Sequence, residues 1–209
     1  MADLKQINEL LQKGKAEDVK RLVKEALDAK TPAEKILQEG LISAMKTVGE
    51  RMQRGEAYVP EVLIAARAMN AGLSILEPAL VAQGVKPKGT ILVGTVKGDL
   101  HDIGKNLVAM MFKGAGFKVV DLGVDVSAEK YVAAMKEHNP DIVGLSALLT
   151  TTMVNMGPII KALREAGYKG IVEVGGAPVT ESFAKEIGAD AYGDDAASAV
   201  DKALAAMKK

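Results

Sequence analysis

The spacing of apolar residues changes period once, near residue 85, and that change constrains the fold more than any other feature of the chain. Before it, apolar residues recur every three or four positions. The series runs Leu4, Ile7, Leu10 and Leu11; then Val19, Leu22, Val23, Ala26 and Leu27; then Ile36, Leu37, Leu41, Met45, Val48 and Met52; then Val62, Leu63, Ala66, Met69 and Leu73. That is the pattern of helices that each bury one stripe. Gly14 and Gly55 stand where two helices should stop, and Pro60 stands where another should open. Thr31-Pro32-Ala33-Glu34 reads as a capping box with proline at the first helical position. With no strand alternation between them, these segments predict a four-helix-type bundle over residues 1–85.

Val85-Lys86-Pro87-Lys88-Gly89 has the composition of a linker. Beyond it, short apolar runs at 90–96, 117–122, 141–147, 170–174 and 189–192 alternate with helical stretches near 102–115, 128–138, 153–166, 180–187 and 195–207. Short apolar runs separated by helices are parallel strands covered on both faces. The prediction for residues 86–209 is an α/β domain, a doubly wound, flavodoxin-like (Rossmann-like) five-stranded parallel sheet. Ligands of such sheets sit at the carboxyl ends of the strands, so the loops after 96, 122, 147 and 174 are the ones to inspect.

Composition removes several function classes. The 209 residues carry 27 Lys+Arg and 27 Asp+Glu, and aromatics amount to three Phe, four Tyr and no Trp. A chain with neither basic excess nor stacking platforms is not expected to bind nucleic acid. The absence of cysteine excludes disulfides, thiol catalysis, iron–sulfur clusters and Cys-type zinc sites. No uninterrupted apolar run reaches the roughly 18–20 residues of a membrane span, and the first residues do not form a signal peptide. A cytoplasmic protein with no membrane partner is the expectation.

The loop after the first run reads Lys97-Gly98-Asp99-Leu100-His101-Asp102-Ile103-Gly104-Lys105-Asn106. Its glycines are one residue too far apart for a phosphate loop, and Asn106 replaces the hydroxyl that would hold magnesium. Asp99 and Asp102 would repel phosphate. An Asp two residues before a His suits a different task, since it can accept one imidazole N–H and fix the other nitrogen as a ligand or base. A polar turn whose His caps the next helix is the blander alternative. A protein-built zinc or iron site would need more ligands than His138 and the carboxylates offer, whereas one imidazole is enough for a metal already held in a macrocycle. At the next strand ends, Ser146, Thr150, Thr151 and Thr152 can hydrogen-bond a ligand or cap a helix, and Gly175-Gly176 permits either close backbone approach or a tight turn.

Together, Asp99-Leu100-His101-Asp102-Ile103-Gly104, then 105–145, Ser146-Ala147-Leu148, then 149–174, and Gly175-Gly176 resemble the D-x-H-x-x-G, S-x-L, G-G signature of cobalamin-binding domains. The helical segment before them is similar to the cap of methionine synthase's cobalamin module. The whole chain resembles the corrinoid methyl-carrier proteins of anaerobic methyltransferase systems.

The resemblance implies a base-off corrinoid with His101 as lower ligand to cobalt, Asp99 on the other ring nitrogen and Thr152 at the end of a relay. It implies Gly104 at a close helix approach. Ser146 and Leu148 would line the pocket for the displaced nucleotide tail, Gly175 and Gly176 would leave room for it, and Thr150 would assist. Met45, Met52, Met69 and the Tyr58-Val59-Pro60 corner are the cap residues implied at the upper face, although methionines at helical spacing are also ordinary core filler.

The implied function is a cycle between cob(I)alamin and methylcobalamin. It would take a methyl group from a substrate-specific methyltransferase acting on methanol, methylamine, betaine or an aryl methyl ether. A second methyltransferase would pass that group to tetrahydrofolate or coenzyme M, and a reductive activase would serve as third partner. The chain would then be a carrier component and not a complete enzyme, with no catalytic residue of its own. The rivals are the cobalamin subunit of an adenosylcobalamin-dependent mutase, which generally lacks such a cap, and a cobalamin-storage or sensing protein.

Overall fold

The computed structural model describes residues 3–208. The chain divides into two compact units, the first running to Pro87 together with Gly114–Gly116, the second comprising Lys88–Lys113 and Phe117 onward.

The first unit is helical. Helix α1 spans Leu4–Gln12, α2 Ala16–Asp28, α3 Ala33–Lys35, α4 Ser43–Gln53 and α5 Val59–Ala82. A π-helical segment, Ile36–Ile42, joins α3 to α4 without a break. Asp3 caps α1 through its carboxylate, and Gly14 and Gly55 end their helices with φ near +70°. The capping box at Thr31 does not form. Pro32 lies in an extended conformation and takes the cap position itself, so the helix begins one residue later. The Ala33 N–H left over donates instead to Gln83 Oε1, at 3.1 Å, from the end of α5.

Helix α5 packs along α2. A Cβ at Gly72 would lie 3.0 Å from side-chain atoms of both Leu41 and Val19, tighter than ordinary contact, so the glycine lets α5 approach its neighbours closely. By length and a mean hydropathy of 1.3, α5 is apolar enough to cross a membrane although Glu61, Arg67 and Glu77 interrupt it; Val62, Ala66, Met69, Leu73 and Leu76 along it are buried.

The second unit contains the sheet. Strands β1 (Thr90–Thr95), β2 (Lys118–Asp121), β3 (Ile142–Ser146), β4 (Ile171–Gly175) and β5 (Ala191–Gly193) are all parallel, in the order β2-β1-β3-β4-β5. Between them run α6 (Ile103–Gly114), α7 (Ala128–His138), α8 (Thr150–Met153), α9 (Met156–Glu165), α10 (Glu181–Glu186) and, after β5, α11 (Ala196–Ala206). Leu92, Val143, Leu145, Val172 and Val174 pack with Tyr131, Ile159, Ile160 and Ala184 in one core on the face of α7, α9 and α10. The alternate residues of each strand face the other way.

Because the chain leaves β1 for β2 on one side and returns to β3 on the other, β1 and β3 flank the topological switch point. The single helix expected over 153–166 is two, broken at Val154–Asn155. Asn155 uses its side chain to donate to Lys97 O at 2.9 Å, and the short α8 ahead of the break carries Thr152.

Candidate functional site

The residues singled out in the sequence converge at that switch point. After β1 the chain turns at Gly98, whose φ of +82° suits glycine. The Gly98 N–H donates to Asp125 Oδ1 at 2.7 Å, and the Asp125 N–H donates to Asp99 O at 3.0 Å, so one residue from the β2–α7 loop clamps both members of the turn. Thr95, fully buried, donates from its hydroxyl to His101 O at 2.7 Å. The loop that presents the imidazole is thereby held on both sides.

Asp99 is the hub. It is 1% exposed, and its two oxygens meet four donors. Oδ1 accepts from the His101 N–H at 3.1 Å and pairs with His101 Nδ1 at 3.0 Å. Oδ2 accepts from the Leu148 N–H at 2.8 Å and from Thr152 Oγ1 at 2.7 Å. Burial alone would raise the Asp99 carboxyl, but the bonds from Leu148, Thr152 and His101 outweigh it and hold the group well below the usual carboxylate range.

An ionised carboxylate only accepts, so in the neutral ring the shared proton resides on Nδ1 and Nε2 keeps its lone pair. The His101 side chain is 53% exposed. Thr152 Oγ1 also lies 3.0 Å from Leu149 O, and its one proton serves one acceptor at a time.

Other expected residues stand around this hub. Ser146, half-buried, ends β3 and pairs in register with Thr95 and Gly175. Leu148 contributes its N–H to Asp99 while its side chain is exposed. Gly104 lies in the first turn of α6, with nothing within 4 Å of where a Cβ would be. Thr150, exposed, opens α8 outside the Asp99 network.

Gly175 and Gly176 have a backbone reason of their own. A Cβ on Gly175 would sit 2.9 Å from Gly193 O, and one on Gly176, at φ +124°, would fall 1.9 Å from Ala147 O. Of the implied cap residues, Met45 and Met69 are buried, Met52 is half-buried, and Tyr58, Val59 and Pro60 are exposed.

Sequence reasoning missed Asp125, Thr95 and the Lys105–Asp121 pair. Lys105, 3% exposed, holds Asp121 Oδ2 at 2.5 Å and Asn106 Oδ1 at 2.6 Å, and Asp121 Oδ1 accepts from Gly123 N at 2.8 Å. Their partners lie up to 27 residues away, so no local motif advertises them.

Among the described residues no three His, Asp or Glu side chains gather to hold a free metal ion. One imidazole with a free ring nitrogen, beside the exposed side chains of Leu100, Ile103, Leu148 and Leu149, is a donor set for a metal that brings its own macrocycle. The residues present fit such a group.

Comparison with known proteins points to a corrinoid. A family model described as a B12 binding domain matches residues 89–201, and a second one of the same description matches residues 3–77. The chain is 47% identical over 188 residues to trimethylamine corrinoid protein 2 of Methanosarcina acetivorans, covering 88% of this chain and 87% of that protein. It is 40% identical over 208 residues to a corrinoid protein of Desulfitobacterium hafniense, covering 97% and 96%.

Among solved structures, a cobalamin-binding protein from Desulfitobacterium hafniense superposes with a TM-score of 0.81 at 32% identity, over 99% of both chains. A chain of the methanol:cobalamin methyltransferase complex of Methanosarcina barkeri gives 0.86 at 31%, over 97% of this chain and 78% of that one.

Proposed function

Since this chain belongs to the B12-binding corrinoid proteins, we propose that it is a methyl carrier that holds cobalamin base-off, with His101 Nε2 as the lower ligand to cobalt. The observation that carries this reading is the Asp99–His101 pair, with Nδ1 engaged at 3.0 Å and Nε2 left with its lone pair on a half-exposed ring. When bound, the corrinoid supplies a cobalt centre that can accept a methyl group and pass it on.

The protein's share is position and proton control. Asp99 fixes the ring's rotation and tautomer, and Leu148 N–H and Thr152 Oγ1 fix Asp99. A proton needed at Nδ1 when the ligand bond weakens is held there by the ionised carboxylate, and the Thr152 hydroxyl, balanced between Asp99 and Leu149 O, adjusts its hydrogen bond as that charge changes.

Leu100, Ile103, Leu148 and Leu149 offer apolar surface to the macrocycle. Ser146, Gly175 and Gly176 line the path of the nucleotide tail, Thr150 meets its polar groups, and Gly104 leaves room at the start of α6. The match of residues 3–77 to a B12 binding domain supports assigning the helical unit, residues 1–85, to the same cofactor as its cap, ahead of a cobalamin-binding domain over 86–209.

The methyl group comes from a methylated amine or alcohol held on a substrate-specific methyltransferase. The names of the trimethylamine and dimethylamine corrinoid relatives and of the methanol:cobalamin complex support this donor class. A second methyltransferase, acting on tetrahydrofolate or coenzyme M, removes it, and a reductive activase restores oxidised cobalt.

The test is to load the protein with hydroxocobalamin, reduce it to the cobalt(II) form and record its EPR spectrum. Nitrogen splitting that is present in the wild type and lost in His101→Ala, at equal cobalt content, is the expected result. Splitting that survives the substitution overturns the ligand assignment.

A further inference from the structure

The sheet face opposite the α7, α9 and α10 layer grades from large to small toward its carboxyl end. Across β1, β3 and β4, successive rows in register are Ile91, Ile142 and Ile171; Val93, Gly144 and Glu173; Thr95, Ser146 and Gly175. Gly144 lies in the middle strand of five and yet is only half-buried. The three heavy atoms nearest to a Cβ built on it belong to β1, not to any helix. A central-strand residue stays accessible under a helical layer only where that layer leaves a gap, so a narrow trough floored by Gly144, Ser146 and Gly175 opens here.

Glu173 borders the trough one row below Gly175. It is 4% exposed, and its Oε1 is buried with no hydrogen-bond partner. Burial pushes its carboxyl well above the usual range, so the neutral acid is favoured. A buried polar group without a partner is costly, and each such group calls for an explanation. Its strand neighbours Val172 and Val174 sit in the core on the opposite face, so Glu173 is the one polar side chain that β4 sets into this wall, on the face that also carries Thr95 and Ser146.

A neutral carboxylic acid beside a glycine floor recognises a flat, uncharged ring that presents a nitrogen lone pair. We infer that Glu173 donates its O–H to the ring nitrogen of the corrinoid's displaced base, and so selects corrinoids with a benzimidazole or purine tail over those whose tail lacks a ring nitrogen. This rests on the base-off reading given above. The ring's apolar faces lie over Gly144 and Gly175, where any side chain would obstruct it.

The experiment compares wild type, Glu173→Leu and Glu173→Gln, each titrated with cobalamin and with cobinamide, the corrinoid that lacks the nucleotide base. Retained corrinoid is read by absorbance after desalting. Replacing an unpaired buried carboxyl with leucine keeps a filled, folded core, and thermal melting of the unloaded protein verifies that.

The expected result is that Glu173→Leu weakens cobalamin binding roughly three- to tenfold, the worth of one hydrogen bond. Cobinamide binding should be unchanged, and Glu173→Gln, which can still donate, should retain most of the affinity. A carboxylic C=O stretch that shifts when wild type binds cobalamin, but not when it binds cobinamide, is the accompanying infrared signature. An equal cobalamin-to-cobinamide preference in wild type and Glu173→Leu overturns the inference while leaving the carrier function standing. Failure of wild type to retain either corrinoid overturns the function itself.

Discussion

Asp99, filled from four sides, lets a single carboxylate serve both the fold and the orientation of the His101 ring. Two of its donors come from the motif loop and two from beyond β3, so the group that sets the His101 tautomer also ties β1 to β3 at their carboxyl ends. Asp99→Asn keeps the volume but puts an amide where two acceptor oxygens stood, and His101 loses the partner that keeps Nδ1 protonated. The expected outcome is a mixed tautomer at His101 in nitrogen NMR of the unloaded protein, with cobalamin affinity down about 10- to 100-fold. An unchanged tautomer would contradict the role given to Asp99. The Asp99–His101 pair was legible in the sequence because the two residues stand two apart. Thr95 and Asp125, which hold the same loop, were not. A threonine ending an apolar strand looks like any other, and Asp125 acts on Gly98 from 27 residues away.

At the scale of elements, the apolar runs located all five strands to within two residues, even β2, an edge strand whose ends, Lys118 and Asp121, are exposed. Helix ends were read less well. A proline held extended displaced the cap at Thr31, and the tether from Asn155 to Lys97 O split one expected helix in two. Strand β4 carries the feature that the apolar reading passed over, since Glu173 interrupts Ile171-Val172-Glu173-Val174. Its raised carboxyl makes stability depend on pH. An unfolded glutamate titrates at about 4.3. Between that value and the higher folded one the native chain binds more protons than the unfolded chain, so stability falls as pH rises. Glu173→Gln removes this dependence. Urea melts of the unloaded protein are expected to show the variant's advantage over wild type widening from about pH 5 to about pH 8. A constant gap would mean that Glu173 titrates normally.

On the scale of the whole molecule, every bond that fixes His101 is made inside the second unit: Asp99, Thr95, Leu148, Thr152 and Asp125 all lie beyond Lys88. The part of the chain from Lys88 onward, produced alone, is therefore expected to fold and to give the same nitrogen splitting with cobalt(II) corrinoid as the full chain. Loss of the splitting despite a folded sheet would show that residues of the first unit are needed to seat the ligand.

The register Thr95, Ser146, Gly175 across three neighbouring strands acts as a ruler on how such a chain can change length over generations. Side chains alternate along a strand, so one residue added within β3 would exchange Ser146 for a core-facing neighbour and bring Leu145 to the open face. The connections obey no such phase. Extra residues at the exposed Asn139, already in a left-handed turn after α7, move nothing in the sheet, because Asp141 just beyond is fastened to Thr90 through both its N–H and its carboxylate. The distances between the three motif blocks are thus free to drift in the loops, while within each strand the count is fixed to the residue.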